Sequence, residues 1–211
     1  ISNCHSSAKG VLTNPQTCHI CYCHTPTRYL WEPWLDERAQ GGLIRKTILS
    51  YIRLWDKEAS DRPDFFIANS KNIANKIEKY YQRSAEVVYP PVDTSLFEPS
   101  DHPPLDYFLI VTRLTKQKRV DLAIKAFLKL KKPLKIIGEG PELKRLQKLA
   151  QEGDHIEFLG YQPDNILRDF YQRCQAFIFP QEEDFGITPL EAMACGRPVI
   201  AYGQGGALET I

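Results

Sequence analysis

A long apolar run, a surplus of either charge and a dense set of cysteines are all missing from this chain of 211 residues. No stretch approaches the ~20 apolar residues that a membrane-spanning helix needs, and no signal peptide opens the sequence. Lysine and arginine number 27 against 26 aspartates and glutamates, a formal net charge of +1. That balance argues against nucleic acid as a partner, because binders of the phosphate backbone carry a strong basic excess. Six cysteines are too sparse for a disulfide scaffold. Their placement in apolar strand and helix patterns implies reduced, buried thiols and a cytoplasmic setting. Methionine occurs once, as Met193, and the chain opens at Ile1 and closes at GGALETI inside what reads as a new helix. The expectation is an internal piece of a longer protein.

What is present is an alternation of two periods. YFLIV, LKIIG, IEFLG, AFIFP and PVIAY are short apolar runs. They interleave with helical patterns such as VDLAIKAFLKL, which repeats at Leu122, Ile124, Phe127 and Leu128, and PELKRLQKLAQ, with Pro141 expected at the first helical position. Such a series implies an α/β fold with parallel strands and right-handed crossovers. Ligands of such sheets bind beyond the carboxyl ends of the strands. Upstream, HICYC, FFIA and EVVYP read as strands, GLIRKTILSYIRLWDKEAS as an amphipathic helix, and NSKNIANKIEKYY as a helix capped by Asn69 or Ser70. Between the two series lies PPVDTSLFEPSDHPP, residues 90–104, with five of the 15 prolines. It predicts two domains, 1–95 and 96–211, the first the back half of an α/β domain and the second cut short at its C-terminus.

Around HICYCHTPTRYLW, Cys18, His19, Cys21, Cys23 and His24 crowd into seven positions. A structural zinc site usually needs a second ligand pair, and Cys4 and His5 are the available candidates. On a strand Cys21 and Cys23 share one face, and Ile20 and Tyr22 the other, which suits an ordinary buried strand. His24 stands where that strand ends, either facing a crevice or bonded to nearby backbone.

Three later loops carry chemistry. Arg113 and Lys118 leave the first strand of the second series and could clamp a diphosphate, or belong to a solvated basic loop. Gly138 and Gly140 in GEGPEL allow close backbone approach, but without a third glycine or an acidic residue at ribose spacing they disfavour an NAD enzyme. In PQEEDFGITPLEAMACG, Glu183 and Glu191 are separated by seven residues. Thr188, Pro189 and Glu191 read as N-cap, N1 and N3 of a capping box, a purely structural account of Glu191. No D-x-D occurs, so a metal-bridged diphosphate is not expected and the positive groups must come from the protein.

Together, RL-x3-K at 113–118, GEGPEL at 138–143 and the E-x7-E of EDFGITPLEAMACG resemble retaining family 4 glycosyltransferases of the GT-B fold. HSSAKGV, CHTPTRYLW, RLWDKEASDRPDFFIANS and VVYPPVD resemble a branch of that family, bacterial mannosyltransferases of polysaccharide assembly. The resemblance implies two Rossmann-like lobes facing a cleft. The second would hold a nucleotide-sugar, GDP-mannose above others, as substrate, with no cofactor and no metal. It assigns Arg113 and Lys118 to the leaving diphosphate, Glu183 to the donor sugar and Glu191 to the ribose. Phe185, Gly186, Ile187 and Thr188 would contact sugar and phosphates, with Gly138 also on the donor side and Gly160 and Tyr161 near the base. His24 would lie at the cleft, with Arg28, Tyr29 and Trp31 on the acceptor side. The acceptor would be a glycan or a lipid-linked sugar. Arg119 departs from the family, which has glycine after the lysine. Missing end segments would leave the fragment inactive. The alternatives are a sugar phosphorylase, a nucleotide-sugar epimerase or a non-catalytic nucleotide-binding fragment. Arg45, Lys46 and Arg53 are compatible with peripheral contact at the inner membrane face, but read more simply as an ordinary solvated helix face.

Overall fold

A computed structural model describes the chain apart from residues 5, 35–38 and 40. His5, weighed above as a zinc ligand, lies outside the described residues. The chain divides into two compact units, Ile1–Pro90 and Pro91–Ile211. The division falls five residues before the expected 95 because Val92, Leu96 and Phe97 pack on the core of the second unit.

The first unit runs β1 (Ser2–Cys4), β2 (Ile20–Cys23), α1 (Arg28–Trp31), α2 (Leu43–Ala59), β3 (Phe65–Ala68), α3 (Lys71–Tyr81) and β4 (Glu86–Val87). Its sheet is parallel, in the order β1-β2-β3-β4. Cys21 and Cys23 point into a core with Phe66, Ala68, Ile73, Ile77 and Tyr81, while Ile20 and Tyr22 on the other face are half-buried. The strand reading of HICYC therefore holds. Cys18, however, is exposed, so not every thiol is interior. Of the two cap candidates Ser70 serves, its hydroxyl accepting from the Ile73 amide at 3.0 Å.

Helix α2 departs from a simple solvated face. Its fully interior side chains are Asp56 and Ala59, while Ile44, Ile48, Tyr51 and Trp55 form an exposed apolar stripe at helical spacing. Arg53 is not a free surface cation. Its Nε donates to the Leu30 carbonyl at 2.7 Å and its guanidinium lies 5.7 Å from the Trp31 ring centre.

The second unit runs β5 (Phe108–Val111), α4 (Val120–Leu130), β6 (Leu134–Ile137), α5 (Leu143–Ala150), β7 (Ile156–Gly160), α6 (Asp164–Arg173), β8 (Phe177–Phe179), α7 (Ile187–Ala194), β9 (Val199–Ala201) and α8 (Ala207–Thr210). Its parallel sheet has the order β7-β6-β5-β8-β9. Leu109, Phe177 and Phe179 face Leu167, Tyr171 and Ala192 of α6 and α7. Ile110, Ile136 and Ile178 face Val120, Ile124, Phe127 and Leu146 of α4 and α5. Each large side chain so buried contributes about 1.5–3 kcal/mol. The inner face of α4 is thus 120, 123, 124 and 127, and Leu122, counted above in the apolar repeat, is 41% exposed. Pro141 does not open α5. It precedes the cap residue Glu142, because the Glu142 amide bonds back to the Leu114 carbonyl at 3.1 Å and delays the helix.

Candidate functional site

The strand order of the second sheet reverses between β5 and β8, so the loops leaving these neighbours open side by side at their carboxyl ends. Lys118 lies in the first loop, on a 3-10 turn (Lys116–Lys118), and Glu183 in the second. Sixty-five positions apart in sequence, they form an ion pair, Lys118 Nζ donating to Glu183 Oε2. Both side chains are about four-fifths buried, so the pair is partly desolvated and stronger than a surface bridge. Arg113 stands exposed at the exit of β5, and no ion pair of its guanidinium is seen among the described residues.

Backbone packing holds these loops. The Leu114 amide donates to Glu139 O at 2.8 Å, and the Gly138 amide to Gly160 O at 2.7 Å. A Cβ on Gly138 would sit 1.9 Å from the Thr112 carbonyl oxygen, and one on Gly140 2.2 Å from that of Leu114. The two glycines are therefore demanded by the neighbouring loop before any ligand is considered. Gly160 is otherwise placed: its φ is positive, at +66°, but a Cβ there meets little. Tyr161 beside it is exposed. Arg119, where glycine was expected, adopts φ +49°. The loop keeps the left-handed bend that glycine would favour, at a strain of roughly 1 kcal/mol.

The β8 loop ends differently from its expected form. Helix α7 starts at Ile187, with Gly186 at the cap in the left-handed region (φ +87°) and no side-chain cap bond. Thr188 and Pro189 are already inside the first turn, where proline's missing N–H costs nothing, and the capping box does not form. Glu191 is held instead by Tyr171 of α6, whose hydroxyl donates to Oε2 at 2.8 Å. Phe185 is buried and Ile187 exposed, so these neighbours do not present one uniform face.

Burial pushes the Glu191 carboxyl above the usual carboxylate range, opposed by the Tyr171 hydrogen bond and aided by the negative charge of Asp164. A raised folded-state pKa means that the fold prefers the protonated acid. That preference stabilises below about 4.5, the ordinary value, and is lost as pH rises through the raised one. Glu191→Gln is therefore expected to melt above the parent at pH 7–8, with the gap closing toward pH 4.5. Thermal scans across that range check it, and a gap independent of pH would contradict it. Burial also holds the Cys174 and Cys195 thiols up, at about 12 and about 11, so both stay protonated and unreactive at neutral pH.

Sequence reasoning missed the support behind Glu183. Its carbonyl accepts from the Gly206 amide at 2.8 Å. A Cβ on Gly205 would come 2.4 Å from that carbonyl oxygen, and one on Gly206 2.5 Å from that of Asp184. The paired glycines of GQGGALE were the available signal. Gln181, 2% exposed with Oε1 unpaired, carried no such signal.

In the first unit, His24 follows β2 directly, its ring edge-on to Tyr22 with centres 5.2 Å apart. Arg28 and Tyr29 are half-buried on α1, and Trp31 stacks on Tyr80 at 5.1 Å and 17°. Among the described residues no three His, Cys, Asp or Glu side chains converge as a metal site would require, and no helix is long and apolar enough to cross a membrane.

Known proteins share the fold. Two solved structures share the fold over 91% of the chain. One is Anabaena HepE in complex with UDP and glucose (TM-score 0.68, 19% identity, 61% of that chain). The other is the sucrose-phosphate synthase of Thermosynechococcus elongatus (0.71, 21%, 52%). The α-1,3/1,6-mannosyltransferase ALG2 of Saccharomyces cerevisiae is 28% identical over 90% of this chain and 47% of its own length. A GDP-mannose-dependent α-(1-6)-phosphatidylinositol monomannoside mannosyltransferase of Mycolicibacterium smegmatis is 33% identical over 48% of this chain and 31% of its own. The chain thus spans about half the length, or less, of the curated relatives it matches. The family described as glycosyl transferases group 1 matches residues 94–211, more than half of the chain and the whole Lys118–Glu191 region. With that match, and two parallel α/β units of the kind found in GT-B glycosyltransferases, this chain belongs to the group 1 glycosyl transferases.

Proposed function

We propose that the protein is a retaining family 4 glycosyltransferase that moves mannose from GDP-mannose to a lipid-linked or polysaccharide acceptor, without a metal. The observation that carries this reading is the Lys118–Glu183 pair at the switch point. As the bond from the anomeric carbon to the diphosphate breaks, negative charge grows on the leaving diphosphate. A lysine ammonium on a mobile stem and the exposed Arg113 suit that charge. In the ligand-free protein Lys118 rests on Glu183. When donor binds, the ammonium turns to the phosphates and Glu183 is released to accept hydrogen bonds from the sugar hydroxyls. Glu191, fixed by Tyr171, accepts from the ribose, and the bend at Gly186 brings backbone amides of 185–188 toward the sugar and phosphates. His24, Arg28, Tyr29 and Trp31 take the acceptor side. The mannosyltransferase relatives support the sugar, and the Mycolicibacterium relative supports GDP as the base.

Calorimetric titration with GDP, UDP and ADP in EDTA tests the donor. GDP is expected to bind at least about tenfold more tightly than the others, a margin of ~1.4 kcal/mol. Equal binding of all three, or binding that needs a divalent cation, would overturn the assignment.

A further inference from the structure

The first unit contains a buried polar centre that the proposed donor chemistry does not use. Asp56, near the end of α2, is 1% exposed, and both its carboxylate oxygens are occupied. Oδ1 accepts from Lys9 Nζ at 2.6 Å and Thr27 Oγ1 at 2.7 Å. Oδ2 accepts from Trp31 Nε1 at 2.7 Å and the Tyr81 hydroxyl at 2.9 Å. Lys9, equally buried, also donates to the Ser6 carbonyl at 2.6 Å and lies 5.1 Å from the Tyr81 ring centre. Four segments meet at one carboxylate: the turn after β1, α1 with its cap residue, α2 and α3.

Stability alone does not account for such a pair, because apolar side chains of similar volume often serve a core at least as well. What the carboxylate does is directional. Helix α1 is four residues long and lacks a side-chain cap, far below the length at which a helix holds itself in water. Its cap residue Thr27 and its last residue Trp31 both donate to Asp56, so the two ends of the segment are tied to one anion. Trp31 is further fixed by its stack on Tyr80, and Glu32 by Lys76 Nζ at 2.9 Å.

We infer that Asp56, neutralised by Lys9, is the positioning residue for residues 24–31, setting the geometry of the segment that faces the acceptor. The inference rests on the acceptor-side assignment made under the proposed function. Asp56 does not touch substrate; it acts through Thr27 and Trp31. Lys9 pairs with the carboxylate while three neutral donors, Thr27, Trp31 and Tyr81, are oriented on its oxygens.

Hydrogen–deuterium exchange of the full-length protein tests this, with Asp56→Asn and the milder Thr27→Val, which leaves the ion pair intact and guards against an Asp56 variant that fails to fold. Both are expected to speed exchange about tenfold or more across 24–31 while β3 and the first turns of α3 keep their protection. With octyl α-mannoside as acceptor probe and GDP-mannose as donor, the acceptor KM or kcat is expected to worsen ~10–100-fold at unchanged GDP affinity. Unchanged exchange over 24–31, or a rise spread evenly over the unit in both variants, would overturn the inference. Locally faster exchange with undiminished transfer would support the hold of Asp56 on the segment and sink the acceptor-side assignment instead.

Discussion

Lys118→Met is expected to slow sugar transfer by ~100–1,000-fold, the usual cost of removing one preorganised group from a site of developing negative charge. Methionine keeps the apolar stem and volume and removes the ammonium. The pair sits in loops beyond the sheet rather than in its core, and each side chain keeps about a fifth of its surface in water, so thermal scans of the variant accompany the kinetics to separate lost rate from lost fold. GDP affinity should fall much less than the rate, because charge on the diphosphate grows as the bond to the sugar breaks, and a group stabilising that growth acts mainly on kcat. Glu183→Gln keeps the size and the acceptor oxygen but removes the charge that receives Lys118. Because the two groups serve different parts of the bound donor, the diphosphate and the sugar, the double variant should be slower than either single variant. A kcat within threefold of the parent for Lys118→Met would remove this lysine from the mechanism.

Gly138→Ala is expected to lower the melting temperature of the second unit by about 10–20 °C, corresponding to ~3–5 kcal/mol. The added methyl would lie 1.9 Å from the Thr112 carbonyl oxygen and 2.9 Å from its carbon, at φ +127°. Backbone of the adjacent loop cannot swing aside as a flexible side chain can, so the clash and the unfavourable φ add. Gly203→Ala is the control. A Cβ there meets nothing nearer than Leu208 Cδ2 at 3.9 Å, and the melting point should hold within a few degrees. Comparable melting of the two variants would show that the loops after β5 and β6 do not pack against each other as described.

These two residues also mark how far the sequence could be read. The alternation of apolar runs and helical patterns identified every strand of both sheets except the edge strand β1, because each of the others lies in a short run of apolar residues set between helical patterns. The neighbourhood of β5 and β8 was not in that pattern. Strand order, and with it the meeting of Lys118 and Glu183, is set by how crossovers fold back, which local periodicity does not encode. Gly138 and Gly140 stood out as letters, but their reason lies in carbonyls about 26 residues away, at Thr112 and Leu114. Glu191 was misread for a related cause. T-P-x-E spacing predicts a capping box, yet the left-handed Gly186 starts α7 early and leaves the carboxylate to Tyr171. The Asp56 centre was invisible because Lys9, Thr27, Trp31, Asp56 and Tyr81 are spread over 73 positions and each fits an ordinary local pattern.

The most direct test of the central claim is the configuration of the transferred sugar. Full-length protein is incubated with GDP-mannose and octyl α-mannoside, and the configuration of the product is read by NMR from the one-bond carbon–proton coupling at the new anomeric position. An α-linked disaccharide, formed in EDTA and ~100–1,000-fold more slowly with Lys118→Met, is the result that the proposed retaining, metal-free transfer predicts. A β-linked product, or α-transfer at full rate without Lys118, would contradict it.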